Sequence, residues 1–175
     1  MTDDDQRAIT AAQGFHELDL CQDALKELAK VSEAGRDKEA YIRIYAEIMT
    51  TMGEFDEASN LATVAMTKWQ TKSWPYYIAA NAALAFNQPE TAMYAALKGM
   101  LNAGPCLNLA CIAAIAEATA GNTTAAKSWI AFTLTGGPEL RSRLLDDPAL
   151  EPFAGFIGSF PDFTKADSAN KPVEE

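Results

Sequence analysis

His16 is the only histidine in the chain and the first residue to consider for catalysis. A histidine that acts as a general base needs a nucleophile or carboxylate beside it, and no Ser/His/Asp or Cys/His pattern is visible. A lone histidine at a predicted helix C-terminus is usually solvated or paired with the helix dipole. We therefore expect no catalytic residue and no enzymatic activity.

The cysteines Cys21, Cys106 and Cys111 are odd in number and include no C-x-x-C pair. Zinc sites and disulfide frameworks use cysteines at short, regular spacings. The sequence also lacks a dinucleotide-binding glycine motif, a P-loop, an H-E-x-x-H motif and a calcium-binding loop. We expect reduced, packed thiols, no metal site and no cofactor.

The acidic residues fall into two kinds. Asp3–Asp5 and the cluster Glu54, Asp56 and Glu57 lie near predicted helix starts, where carboxylates complement the helix dipole. Glu117 differs, because it lies on a helix made otherwise of apolar and small residues. Either it is buried with a raised pKa, as in some functional acids, or it reaches water at the helix rim. We favour the second interpretation.

Charge limits the class of partner. The 175-residue chain has a formal net charge of −10 and a pI near 4.5. Nucleic acids and anionic membranes bind basic faces, so we expect neither as a partner. The acidic start Met1–Asp5 is unlike a basic signal peptide, and no apolar run is long enough for a membrane helix. We expect a cytoplasmic protein.

Small residues recur with a fixed period. Ala24, Ala58, Ala92 and Ala126 are 34 residues apart, and a second column with the same step contains Ala12, Ala46, Ala80 and Ala114. Two columns at a constant offset indicate one supersecondary unit that is repeated. The turn residues Asp19, Gly53, Asn87 and Gly121 keep the same step.

These turns and the apolar spacing predict eight helices and no strand. The first helices of the four hairpins are predicted at 6–17, 39–52, 75–86 and 106–120. The second helices are predicted at 21–33, 55–69, 89–102 and 123–134.

The second copy carries the clearest family motif. Gly53-Glu-Phe55-Asp-Glu-Ala58 resembles the hairpin turn of the tetratricopeptide-repeat (TPR) family: a glycine, an aromatic residue and then a packing alanine. The resemblance implies an all-α, right-handed α-solenoid of four hairpins over about 5–38, 39–72, 73–106 and 107–140.

The chain after the hairpins is expected to close the solenoid. Residues 138–145 predict a capping helix, and Asp147-Pro148 predicts an N-capped turn. The aromatic residues of 153–163 have two interpretations: they pack on the body, or they bind a partner. We expect one domain over 1–163, with its cap at 138–163, and a disordered polar tail at 164–175.

The TPR resemblance implies that the first helix of each hairpin lines a concave binding groove. The groove residues it implies are Arg43, Glu47, Trp74, Tyr77, Asn81, Asn108, Ile112 and Ile115. Trp74 and Tyr77 have two interpretations: they anchor a ligand, or they cover the seam between hairpins.

The two halves of the chain differ in charge. Residues 1–72 carry 22 charged side chains, whereas 73–138 carry four: Glu90, Lys98, Glu117 and Lys127. Low charge has two interpretations. Either some apolar surface is exposed, to be covered by the aromatic tail at 153–163, by a second copy of the chain or by a different protein, or alanine-rich helices pack closely.

The leading hypothesis is a non-catalytic scaffold or adaptor that binds a protein or peptide. The alternatives are a secretion-type chaperone, a permanent subunit of a complex, or, less favoured, a small helical enzyme using His16, Arg43, Glu47 and Glu117 from scattered faces.

Overall fold

A computed structural model describes residues 1–161, which contain helices and turns and no strand. Four hairpins follow one another and pack in chain order. Their helices are α1 (Asp3–Glu17) with α2 (Cys21–Leu28) and the short α3 (Glu33–Arg36), α4 (Glu39–Thr51) with α5 (Phe55–Lys68), α6 (Trp74–Ala85) with α7 (Pro89–Ala103), and α8 (Leu107–Thr119) with α9 (Thr123–Thr133).

The four hairpin turns share one backbone conformation. Asp19, Gly53, Asn87 and Gly121 have φ values of 59°, 80°, 54° and 80°, so each adopts the left-handed conformation. This conformation ends the first helix and is tolerated best by glycine, asparagine and aspartate. The predicted turns are therefore confirmed.

Both alanine columns are completely buried. Ala12, Ala24, Ala46 and Ala58 belong to one core cluster, Ala80 and Ala92 to a second, and Ala114 and Ala126 to a third. All eight have an exposed fraction of 0%. The repeat predicted from sequence thus corresponds to positions where helices have no room for a larger side chain.

The first hairpin departs from the prediction of one second helix over 21–33. Helix α2 ends at Leu28, and α3 starts after Ser32, whose hydroxyl accepts a hydrogen bond from the Gly35 N–H at 3.2 Å. The Ser32 N–H and hydroxyl both donate to Asp5, at 2.8 and 2.9 Å. These contacts stop the helix early by supplying the backbone with other partners.

The helices form two layers. Helices α1, α4, α6 and α8 pack against one another in succession. The second helices lie outside this row, with α5 packed between α4 and α6 and α7 packed between α6 and α8. The first helices therefore make one continuous layer of an all-α solenoid, the layer that lines the concave side in stacked repeats of this kind.

The C-terminal segment caps the last hairpin. It comprises α10 (Pro138–Asp146), a 3₁₀ turn (Pro148–Phe153) and α11 (Ala154–Gly158), all packed on α8 and α9. The Asp147 carboxylate accepts a hydrogen bond from the Ala149 N–H at 2.9 Å, as the N-cap prediction requires.

The cap buries apolar side chains against the body. Leu144, Leu150, Phe153 and Ile157 are buried, and the rings of Phe156 and Phe160 meet edge to face with centroids 5.1 Å apart. Of the aromatic residues in this segment, Phe153, Phe156 and Phe160 therefore pack on the body. Phe163 and the tail expected to be disordered lie outside the described residues.

Candidate functional site

The concave face of α4 presents an ion pair. The Arg43 Nε and Glu47 Oε1 atoms are 4.0 Å apart, and both side chains are partly exposed. Partial burial raises the pKa of Glu47, an effect that Arg43 and His16 oppose by favouring the ionised carboxylate. Glu47 is therefore a carboxylate that is only partly solvated.

His16 lies near this carboxylate. Its Nε2 atom is 3.0 Å from the Thr51 hydroxyl, which joins the ends of α1 and α4. The sequence suggests that His16, Arg43 and Glu47 lie on scattered faces. Packing of α1 against α4 instead brings His16 near enough to Glu47 for its charge to lower the pKa of that carboxyl.

Trp74 joins the second and third hairpins. Its indole Nε1–H donates to Glu39 Oε1 at 3.1 Å, and its ring lies 6.1 Å from that of Trp69, centroid to centroid. The residue is half-buried. It therefore covers a seam between hairpins and still offers part of its surface to the groove.

Tyr77 contacts a residue that sequence reasoning did not place in the groove. Arg143, on the capping helix α10, donates from Nη2 to the Tyr77 hydroxyl at 2.6 Å, and its guanidinium lies 5.2 Å from the Tyr77 ring centroid. Arg143 also reaches the Asn108 carboxamide oxygen at 3.5 Å. The cap therefore extends over the concave face and supplies a cation to it.

No sequence signal identified Arg143. Its chain position predicts only a capping helix, and the face that this helix turns toward the groove depends on how the cap docks against α8.

Two of the predicted groove residues of α8 are buried. Ile112 is fully buried in the core, so it presents no surface to a ligand. Ile115 is 8% exposed and belongs to the apolar cluster that includes Leu144 and Leu150 of the cap. Asn108 remains exposed.

A cleft of about 390 Å³ remains where the inner helices meet the cap. The Asn81 amide, which donates to the Tyr77 carbonyl at 3.1 Å, stands at its wall. The lining residues are Asn81, Leu84, Asn87, Ile115, Thr119, Arg143, Asp147, Pro148 and Ala149. Polar and apolar walls together suit a ligand with both characters.

The remaining candidate groups lie away from this face or in the core. Glu117 is partly exposed and accepts a hydrogen bond from the Asn122 amide at 2.7 Å, in agreement with the rim interpretation. Cys111 is fully buried, and burial raises the pKa of its thiol. Cys21 and Cys106 are half-buried free thiols.

Within the described part of the chain, no group of three or more His, Cys, Asp or Glu side chains is arranged to hold a metal ion. Across residues 1–161, no helix has both the length and the apolar character needed to cross a bilayer.

Stacked helical hairpins with a buried small-residue column and a C-terminal cap define a helical-repeat protein with the TPR fold. The chain is similar to the crystal structure of TTC0263, a thermophilic TPR protein in Thermus thermophilus, with a TM-score of 0.76. The match covers 87% of this chain and 82% of that chain at 14% identity, a level at which the likeness concerns the fold. No family model and no curated protein matches the sequence.

Proposed function

We propose that this chain is a non-catalytic cytoplasmic scaffold or adaptor that binds an extended segment of another protein along its concave face. The observation that best supports this proposal is a row of half-buried polar and aromatic side chains on α4 and α6. The row ends under the cap. This row consists of Arg43, Glu47, Trp74, Tyr77 and Asn81.

The chemistry of the row suits a peptide backbone. An extended peptide exposes N–H donors and C=O acceptors along its length. Arg43 and Asn81 supply donors, and Glu47 supplies an acceptor. Because Glu47 is partly desolvated, a donor from the partner would stabilise its ionised form.

The aromatic residues contribute differently from the polar ones. Trp74 and Tyr77 are fixed by intramolecular hydrogen bonds to Glu39 and Arg143. Their orientation is therefore set before a partner arrives, which reduces the entropy lost on binding. Rigid aromatic residues of this kind are frequent binding hot spots.

The mixed character of the groove favours an adaptor over a secretion-type chaperone, for which a continuous apolar groove would be expected. A permanent subunit would use the same surface and would differ in being unstable alone. A helical enzyme would need Glu117 beside another titratable group, whereas its hydrogen-bond partner is Asn122.

Affinity capture with the full 175-residue chain as bait tests the proposal. The groove variant combines Arg43→Ala with Asn81→Ala, because neither side chain joins one hairpin to another. The matched control combines Arg7→Ala with Asn60→Ala, which removes the same side-chain types from exposed positions outside the row.

A groove ligand should be retained by the control and lost from the groove variant. Peptides from that ligand should bind the groove variant at least about tenfold more weakly in a fluorescence titration. Equal capture by all three baits would contradict the groove assignment.

A further inference from the structure

The outer face of α7 carries an apolar stripe. Tyr94, Leu97 and Leu101 are spaced by three and four residues, so they lie along one side of the helix. Tyr94 is 66% exposed and Leu101 is 84% exposed. Such an exposed row on a second helix is separate from the concave groove and from the proposed function.

A groove runs beside this stripe. It has a volume of about 210 Å³ and lies between α5 and α7, with α6 below it. Its walls include Met66 of α5 and Phe86, Thr91 and Tyr94 around α7. Phe86 is itself exposed, so the groove has an apolar, accessible end.

The charges of α7 are balanced and symmetrically placed. Glu90 and Lys98 are its only charged residues, four positions before and four positions after Tyr94. Within residues 1–161 neither takes part in an ion pair, and the Lys98 ammonium lies 5.7 Å from the Tyr94 ring centroid.

From this pattern we infer that α7 is a self-association surface, which pairs antiparallel with α7 of a second copy of the chain about a two-fold axis at Tyr94. A two-fold axis brings residues equally spaced on either side of it face to face. Glu90 then meets Lys98 of the other copy, and the same ion pair forms twice.

The same axis places the apolar residue Leu101 opposite the turn that precedes α7. Leu101 is seven residues after Tyr94, and Asn87, in that turn, is seven before it. Leu101 of one copy therefore lies over Asn87 of the other, next to Phe86 and the end of the α5–α7 groove. An exposed leucine and an apolar groove are thereby covered in both copies at once.

Electrostatics favours a second copy meeting at this face. Each copy has a formal net charge of −10, so most approaches between two copies bring acidic surfaces together. The α7 face carries one positive and one negative side chain. In the antiparallel arrangement each of these side chains lies opposite the oppositely charged one of the other copy, so the two faces attract each other.

Sedimentation velocity over a micromolar to near-millimolar concentration series tests the inference. The native chain should show a reversible monomer–dimer equilibrium. Tyr94→Glu and Leu101→Glu should each leave it monomeric, because they place carboxylates against the partner. Leu18→Glu, at a residue that is 70% exposed on the α1–α2 turn, is the matched control and should still dimerise.

A charge-swap experiment tests the antiparallel register. Glu90→Lys makes α7 wholly basic and Lys98→Glu makes it wholly acidic, so each variant alone should dimerise several-fold more weakly. An equimolar mixture of the two should form a heterodimer at least as tight as the native dimer, because both ion pairs are restored, one in the native sense and one with its charges exchanged.

Three results would overturn the inference. The first is a native chain that stays monomeric at every concentration. The second is a dimer that Tyr94→Glu and Leu101→Glu leave intact. The third is a pair of charge variants whose mixture does not associate better than either alone. None of these results bears on ligand binding in the concave groove.

Discussion

At the residue scale, Asp5 fixes the N-terminal end of the solenoid. Its carboxylate accepts hydrogen bonds from the N–H groups of Thr2 and Ser32, at 2.9 and 2.8 Å, and from the Ser32 hydroxyl. The residue is almost fully buried. The two backbone donors, Thr2 first, hold the pKa of Asp5 well below its ordinary value.

The low pKa of Asp5 predicts a pH-dependent contribution to stability. A depressed pKa in the folded state stabilises that state at pH values above the unfolded pKa of about 4, and the contribution is lost as the pH falls below it. Asp5→Asn should therefore lower the thermal midpoint at pH 7, where its amide cannot accept all three hydrogen bonds. The difference in thermal midpoint between Asp5→Asn and the native chain should become smaller near pH 3. Thermal unfolding followed by circular dichroism measures both midpoints.

Asp4→Asn is the control for this prediction, because the Asp4 side chain is 91% exposed. It should change the midpoint little at either pH. A difference between the native chain and Asp5→Asn that stays constant from pH 7 to pH 3 would show that ionisation of Asp5 is not involved.

At the element scale, helix packing explains why residues 73–138 carry so few charges. Eight consecutive residues of α8, Leu109–Ala116, are buried, since α7, α9 and the cap cover this helix from different sides. A helix enclosed in this way has no polar face. The exposed apolar stripe on α7 also lowers the number of charges, and its use by a second copy of the chain is the inference proposed above.

Close approach of the helices also limits residue size. A Cβ added at Gly99 of α7 would lie 2.6 Å from the Tyr76 Cβ and 2.7 Å from a Leu109 methyl carbon. These are atoms of the two helices that flank α7. The alanine columns reflect the same restriction at the crossing of the two helices in each hairpin.

The alanine columns give a direct test of this packing. Ala80→Leu, on α6, should lower the free energy of unfolding by about 1–3 kcal/mol, because the extra atoms have no space. Ala85→Leu is the matched control at an exposed position of the same helix, and it should change stability by less than about 0.5 kcal/mol. Urea denaturation measures both, and equal effects would contradict the role assigned to the column.

At the scale of the whole molecule, the cap is what ends the repeat. A solenoid exposes an apolar face at its last repeat unless another element covers it. Here Leu144, Leu150 and Ile157 join the cluster that contains Cys111 and Ile130 of the last hairpin. The same segment places Arg143 over the concave face, so stability and the shape of the groove depend on one element.

Weakening the cap should expose the last hairpin. Leu144→Ala removes a fully buried side chain and should lower the free energy of unfolding by about 2–5 kcal/mol. Alkylation of Cys111, which is buried and has a raised pKa, should then become faster. Mass spectrometry of peptides from iodoacetamide-treated protein measures this rate separately for Cys111.

Leu145→Ala is the neighbouring control, since Leu145 is 47% exposed. It should leave the Cys111 alkylation rate unchanged. Cys111 labelling that rises equally in both variants, or in neither, would contradict the protective role of the cap.

The repeat follows from local features of the sequence. The 34-residue spacing of small and turn residues follows from local rules, since only small side chains fit a close helix crossing and only a few residue types adopt a left-handed turn. These rules gave the hairpins, the turns and the N-capped segment at Asp147. The choice of Arg43, Glu47 and Asn81 as groove residues came instead from the resemblance to the TPR family.

The tertiary structure alone decided what the cap covers and which side chains remain accessible. The burial of Ile112 and Ile115, the entry of Arg143 into the groove and the break after Leu28 depend on contacts between distant segments. Asp5 reaches Ser32 across 27 residues, and Arg143 reaches Tyr77 across 66. Such contacts are set by how whole elements dock, and no local spacing in the chain encodes that geometry.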